Sequence, residues 1–131
     1  FTMWPLDMTI LSWFETETVK EAKKLLEPIA REHNPITVSL GDFAKFGSNR
    51  TVHLVEPNAE LTELHKQLLR AVQTSGWRVR GRYTAEYFKP HVTRTGGRDF
   101  AGDEFVINKL HIAESLPQGY RRLVAEMELK S

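Results

Sequence analysis

The hydrophobic pattern of this chain changes period along its first half, and the change limits the folds open to it. Met8–Phe14 is a short apolar, β-branched and aromatic run of the kind found in buried strands. From Thr18 onward apolar residues recur every three or four positions between Lys and Glu, which predicts an amphipathic helix. Thr18 and Glu21 have the spacing of a capping box, and residues 34–35, Asn-Pro, end the helix. A chain that uses both periods is neither a helical bundle nor a sandwich of strands alone.

The same order of elements occurs a second time. Ile36–Leu40 and Thr51–Val55 are predicted strands, and Pro57-Asn58 opens a second helix that stops near Ser75-Gly76. After a basic, aromatic stretch, Phe105–Ala113 and Arg122–Leu129 are two predicted long strands. We therefore predict one α+β domain, residues 1–131, built from two similar β-α-β-β halves with no linker between them.

Composition excludes several classes of protein. With 131 residues, 40% of them hydrophobic, the chain has enough apolar surface for one folded domain rather than a disordered segment. It contains no Cys, which removes disulfides, thiol nucleophiles and Cys-ligated zinc. No apolar run approaches the roughly 20 residues of a membrane span, and residues 1–5 lack the features of a signal peptide. We expect a soluble, cytoplasmic monomer.

The net charge of +1 conceals a basic region between Trp77 and Arg98. Only Glu86 opposes its six cationic residues, which are Arg78, Arg80, Arg82, Lys89, Arg94 and Arg98. Such a region can bind phosphate groups or form an ordinary exposed loop and strand, and the sequence leaves both interpretations open.

Four of the five histidines have simple structural interpretations. His33 ends the first helix and His65 lies among polar neighbours on the second, so both are expected at the surface. His111 alternates along a strand and is expected to face solvent or to be hydrogen-bonded in the core. His53 lies between Val52 and Leu54, and it points outward if those two residues are core. No pair of histidines has the helical spacing of a metal site, so we expect none.

His91 differs because Thr93 follows two residues later. The period of a strand puts both side chains on one face. An imidazole transfers protons near pH 7, and a hydroxyl beside it donates to a phosphoryl oxygen, so the pair suits phosphate chemistry. The tripeptide alone is a weak signal.

A second, related motif makes the pattern more specific. Asp7-Met8-Thr9 stands in the same relation to the first strand as Lys89-Pro90-His91-Val92-Thr93 does to the second half. With these two motifs the chain resembles the 2H phosphoesterase superfamily, which includes bacterial 2′-5′ RNA ligase-like proteins and cyclic phosphodiesterases. The likeness extends over almost the whole chain, including residues 106–115, Gly119-Tyr120 and the last strand. It implies two pseudo-symmetric lobes with antiparallel-rich sheets around a central cleft, helices outside, and one His-x-Thr/Ser (HxT) motif from each lobe.

The first motif departs from the family pattern, since Asp7 stands where the family has its first His. The resemblance implies that one His is the general base and the other the general acid on a 2′,3′-cyclic phosphate. His91 would then transfer a proton, Thr9 and Thr93 would hold phosphoryl oxygens, and Asp7 would occupy the partner position. An aspartate with an ordinary pKa of about 3.9 is a poor base at neutral pH. A divergent enzyme, a binding protein without turnover and an introduced disabling substitution all stay open.

The resemblance implies a metal-independent phosphoesterase, without a cofactor, that acts on 2′,3′-cyclic phosphates or on 2′-5′-linked RNA or nucleotides. The alternative is an inactive module that binds RNA or nucleotide phosphates on the same fold, and a third possibility is an α+β domain whose cleft is unused. For the ligand, Arg82 and Arg94 are candidates to pair with phosphate. The candidates to stack on bases are Trp4, Tyr83, Tyr87 and Phe88.

Overall fold

A computed structural model of the chain describes residues 10–11, 14–16, 18–46, 50–79, 88, 90–93, 103–117 and 121–130. Two helices and six strands make up its regular structure in these ranges. Within the predicted strand at 8–14, Ile10 and Leu11 lie in a bend, and Phe14 forms an isolated antiparallel bridge with Val79. The ring of Phe14 also stacks on Trp77, with ring centroids 6.2 Å apart.

Helix α1 comprises Val19–Arg31 and begins as its sequence predicts. The Thr18 side chain accepts a hydrogen bond from the backbone N–H of Glu21, at 3.1 Å, and so satisfies a donor that the first turn leaves unpaired. The helix continues through Pro28 although proline removes one helical hydrogen bond. Packing of its apolar face opposes that cost, and the buried residues of this face are Ala22, Leu26 and Ala30.

Helix α2 comprises Ala59–Thr74, with Asn58 as the N-cap and Ser75 as the C-cap. The Asn58 side chain accepts from the backbone N–H of Leu61 at 2.9 Å. Its amide group also donates to the Thr37 carbonyl at 2.8 Å, which attaches the start of the helix to the neighbouring strand. Gly76 has a φ of +80°, a left-handed conformation that suits glycine directly after a helix. Both predicted ends of this helix are confirmed.

Four strands form one antiparallel sheet in the order β3-β2-β1-β4. Their bounds are β1, Ile36–Phe46; β2, Arg50–Val55; β3, His91–Thr93; and β4, Glu104–Ile107. The predicted strands in the 36–40 and 51–55 regions are confirmed as parts of the longer β1 and β2. Between the pairs Leu40–Val55 and Phe43–His53, β1 has one more residue than β2, which makes a β-bulge.

The predicted single strand Phe105–Ala113 is wrong, because the structure divides it at Asn108. The first part is β4, which pairs with β1, and the second part is β5, Lys109–Ser115. β5 forms a two-stranded antiparallel sheet with β6, Arg121–Glu128. The Asn108 carbonyl accepts from the Leu129 N–H at 3.0 Å, where the chain passes from one sheet to the other.

One hydrophobic core joins the helices to both sheets. Buried residues of α1 and α2 belong to the same cluster as Ile36, Val38 and Leu40 of β1 and as the apolar positions of the β5–β6 hairpin. The hairpin residues in this cluster are Leu110, Ile112, Met127 and Leu129. One face of the four-stranded sheet therefore belongs to this core, through β1 and Val55. The predicted α+β class, with antiparallel sheets and two helices, is confirmed; the two-lobed symmetry around a cleft stays a prediction.

Candidate active site

His91 and Thr93 occupy alternate positions of β3, at one end of the strand order of the four-stranded sheet. Their antiparallel partners on β2 are Leu54 and Val52. The backbone N–H of Val55 donates to the Pro90 carbonyl at 3.0 Å and extends the pairing to the residue before β3. Residues that oppose each other across two strands lie on the same face of a sheet. The positions of His91 and Thr93 therefore share the face of Leu54 and Val52.

That face is the one opposite the hydrophobic core. Val55 belongs to the core cluster, and alternation along β2 puts His53 on the same side of the sheet as Val55. Val52 is completely buried yet lies outside this cluster, as expected for the other face. The register therefore brings the His-x-Thr positions to the sheet face opposite the core cluster.

The prediction that His53 points outward is wrong. Its side chain is fully buried, because Val55 rather than Val52 marks the core face of β2. The Nδ1 atom lies 2.9 Å from the Gly41 carbonyl oxygen, and since a carbonyl only accepts, Nδ1–H is the donor. Gly41 is one of the two bulge residues of β1, so the imidazole satisfies a carbonyl at the point where the strand ladder is irregular.

The surface prediction for His65 is also wrong. Its side chain is fully buried, and its Nδ1 atom lies 2.5 Å from the Ile10 carbonyl oxygen. The imidazole stacks on the ring of Phe88 with centroids 3.9 Å apart and planes within 1° of parallel. Burial lowers the pKa of His65 below its ordinary value of 6.5, and nearby Lys66 adds to this, while the bond to Ile10 opposes it.

His33 and His111 have structural roles. His33 is half-buried, and its Nε2 atom lies 2.7 Å from Oε1 of Gln67 on α2, so it is more enclosed than predicted. His111 is exposed on β5, which is the first of its two predicted alternatives, and lies 3.5 Å from the Glu126 carboxylate. In the described part of the chain, no group of three or more His, Asp or Glu side chains is placed to hold a metal ion.

Most of the other candidate residues lie outside the described ranges: Trp4, Asp7, Thr9, Arg82, Tyr83, Tyr87 and Arg94. Phe88 is described, and it is half-buried against the core with one ring face on His65. This packing gives Phe88 a structural role beside His91 and leaves its contact with a base a prediction.

Sequence reasoning missed the contact between His65 and Phe88, although part of the signal was present. His65 falls in the apolar stripe of α2, four residues after Leu61 and three before Leu68. A histidine at such a position is expected to face the core. Its partners come from segments far away in sequence, which no local pattern reveals.

None of the helices in the described ranges is long and apolar enough to cross a membrane.

Comparison with solved structures gives the fold. A crystal structure described as a phosphoesterase matches 96% of this chain and 78% of its own, with a TM-score of 0.63 and 19% identity. The apo crystal structure of Escherichia coli LigT covers 96% of this chain and 77% of LigT, with a TM-score of 0.63 and 20% identity. LigT complexed with 3′-AMP matches with a TM-score of 0.63 and 18% identity, over 96% of this chain and 78% of that one.

Sequence comparison gives the family. No curated protein matches the chain. The sequence model of the 2′-5′ RNA ligase superfamily matches residues 1–115, which is most of the 131 residues and includes both motif regions. This match confirms the resemblance to the family, and the LigT-like fold agrees with it. The chain belongs to the 2′-5′ RNA ligase superfamily.

Proposed function

We propose that this chain is a metal-independent phosphoesterase that hydrolyses 2′,3′-cyclic phosphates or 2′-5′ linkages of RNA or nucleotides, with His91 as its proton-transfer residue. The observation that carries the proposal is the register of β3, which brings the positions of His91 and Thr93 to the sheet face opposite the hydrophobic core. Family membership supports the reaction class. The 3′-AMP and NADP⁺ complexes of LigT support a nucleotide ligand.

The proposed hydrolysis of a cyclic phosphate needs two proton transfers. The oxygen of a water molecule bonds to phosphorus, and one of the two ring P–O bonds breaks. A base takes a proton from the water, an acid gives one to the leaving ribose oxygen, and the product is a phosphomonoester. His91 supplies one of these transfers, the hydroxyls of Thr9 and Thr93 donate to phosphoryl oxygens, and Asp7 occupies the position of the second group.

Asp7 limits the expected rate. A carboxylate with an ordinary pKa of about 3.9 is a weak base for water at neutral pH. It also places a negative charge near the phosphate, which the basic region that includes Arg82 and Arg94 has to offset. The second candidate function follows from Asp7: a module that binds a nucleotide phosphate on this fold without turning it over.

Replacing Asp7 by histidine tests the proposal. We expect Asp7→His to hydrolyse 2′,3′-cyclic AMP in EDTA faster than the wild-type chain, by up to about 10²-fold, since it restores a second imidazole. Asp103→His makes the same chemical change in the loop before β4 and should leave the rate unchanged.

Two other results distinguish the candidate functions. A folded Asp7→His variant that binds 3′-AMP but hydrolyses nothing would favour the binding module. If neither protein binds 3′-AMP or hydrolyses cyclic nucleotides, the proposal is wrong.

A further inference from the structure

The core face of α2 contains one polar side chain, that of His65, among the residues described. The other buried residues of this face are Leu61, Leu64, Leu68, Leu69 and Val72. A leucine at position 65 would continue the stripe without needing a hydrogen-bond partner. A buried imidazole, in contrast, is tolerated only when its polar atoms are hydrogen-bonded.

The contacts of His65 determine which ring nitrogen carries the proton and how the ring is oriented. Because the Ile10 carbonyl can only accept, Nδ1 carries the proton in the 2.5 Å bond between them. Burial lowers the pKa of His65, so the ring is neutral near pH 7 and keeps this tautomer. The parallel stack on Phe88 then fixes the plane of the ring.

These two contacts are with residues that flank the two motif segments. Ile10 is bonded directly to Thr9 of the first motif. Phe88 precedes His91 of the second motif by three residues, and between them the Pro90 carbonyl is bonded to β2. One imidazole on α2 therefore contacts the residue after the first motif and a residue just before the second, which are about 80 positions apart in the sequence.

We propose that His65 is a positioning residue that holds the first motif segment against the second, through its N–H bond to Ile10 and its stack on Phe88. Its effect on catalysis rests on the proposed function, because it acts through the placement of Thr9 and His91. A misplacement of about 1 Å between reacting groups can cost on the order of 10²-fold in rate. A side chain that fixes the distance between the reacting groups therefore gives a reason for a polar residue in the core.

Three substitutions separate the two contacts. His65→Phe keeps an aromatic ring against Phe88 and removes the N–H. His65→Asn provides an N–H near the same position and removes the ring. Phe88→Leu keeps an apolar side chain and removes the stack. The matched control is His33→Phe, which makes the same change at a histidine bonded to Gln67 instead.

The first measurement is the amide spectrum of the full-length chain by NMR, which needs no activity. His65→Phe should shift the amide resonances of residues 9–11, Phe88→Leu those of residues 91–93, and His33→Phe neither set. In the wild type, the His65 ring should show a protonated Nδ1 and an unprotonated Nε2. Shifts confined to α2, or a protonated Nε2 with a bare Nδ1, would overturn the proposal.

The second measurement is hydrolysis of 2′,3′-cyclic AMP. We expect kcat to fall about 10-fold in His65→Phe with a smaller change in KM, and His65→Asn to recover part of the loss. Equal loss in His65→Phe and His33→Phe would show that His65 only stabilises the fold. If the wild type neither hydrolyses the nucleotide nor binds 3′-AMP, the proposed function fails while the NMR result still decides the role of His65.

Discussion

The four-stranded sheet with α2 and the β5–β6 hairpin use polar side chains in opposite ways. In the first region, His53 and His65 are fully buried, and each has its Nδ1 atom bonded to a backbone carbonyl. In the hairpin, the polar side chains are exposed and form cross-strand ion pairs. These are Lys109–Glu126 at 3.2 Å and Arg122–Glu114 at 3.1 Å, and the His111 imidazole lies 3.5 Å from the Glu126 carboxylate.

The buried histidines position the backbone, whereas the exposed charged side chains of the hairpin keep its surface solvated. A buried donor left without its acceptor incurs the full cost of desolvation, so His53 and His65 restrict where Gly41 and Ile10 can lie. Exposed ion pairs are screened by water and salt and contribute little. We therefore expect changes near the sheet to affect activity or stability strongly and changes on the hairpin to affect them weakly.

The largest expected effect is on catalysis at His91. His91→Ala should lower the hydrolysis of 2′,3′-cyclic AMP by about 10²–10⁴-fold, because it removes a proton-transfer group. His111→Ala, on the hairpin, should leave the rate unchanged. The assay uses the wild type or Asp7→His, whichever turns over faster, and equal rates in the two alanine variants would contradict the assignment of His91.

The next effect is on stability in the core beside α2. Leu64 is fully buried, and Leu64→Ala should lower the free energy of unfolding by about 2–5 kcal/mol through lost burial and a residual cavity. Leu123 on β6 is 45% exposed, and Leu123→Ala should change the free energy of unfolding by less than about 0.5 kcal/mol. Urea unfolding of both variants makes the comparison; similar losses would show that the hairpin is as tightly packed as the helix face.

A smaller effect is the pH dependence that His65 gives to stability. Its pKa in the folded chain is lowered from 6.5 mainly by burial, so below pH 6.5 the unfolded chain binds a proton that the folded chain does not. The contribution of His65 to stability is thus complete above pH 6.5 and declines as pH falls toward the folded pKa, by at most about 1.4 kcal/mol per pH unit.

Urea unfolding between pH 5 and pH 8 measures this decline. The slope of stability against pH should be shallower in His65→Phe than in the wild type, whatever the absolute stability of the variant. Identical slopes would mean that the His65 ring takes up its proton equally well in the folded and unfolded chains.

The smallest expected effect is at Glu126 on the hairpin. Its pKa is lowered by the hydrogen bond to Lys109 and by the charge of that residue, but the carboxylate is exposed to solvent. Glu126→Gln should leave the urea midpoint at pH 7 unchanged, in low salt and in high salt. A clear loss in low salt that disappears in high salt would show that this ion pair stabilises the hairpin.

The local signals in the sequence predicted the helices well. Thr18 and Asn58 cap their helices through side-chain bonds to backbone N–H groups three residues later, and residue types at this spacing are sufficient to locate such caps. The motif His91-Val92-Thr93 falls on a strand for a similarly local reason. These features depend on residues that are neighbours along the chain.

The features that the sequence did not predict depend on distant partners. The strand-like alternation of apolar and polar residues continues through Asn108. Only the pairing shows two strands, because β4 pairs with β1 and β5 pairs with β6. For His53, the alternation of β2 is compatible with either face, and the burial of Val55 in the core cluster decides which face is inward. The bond from His65 to Ile10 spans 55 positions, so no window of sequence contains both groups.

Binding of the ligand phosphate at His91 is tested most directly by an NMR titration of the histidine side chains with 3′-AMP. The five histidines act as separate reporters in one sample, without any need for turnover. We expect the imidazole resonances of His91 to shift and saturate with 3′-AMP while those of His111 stay in place. Unchanged His91 resonances at a 3′-AMP concentration that saturates the protein, or the absence of any binding, would contradict it.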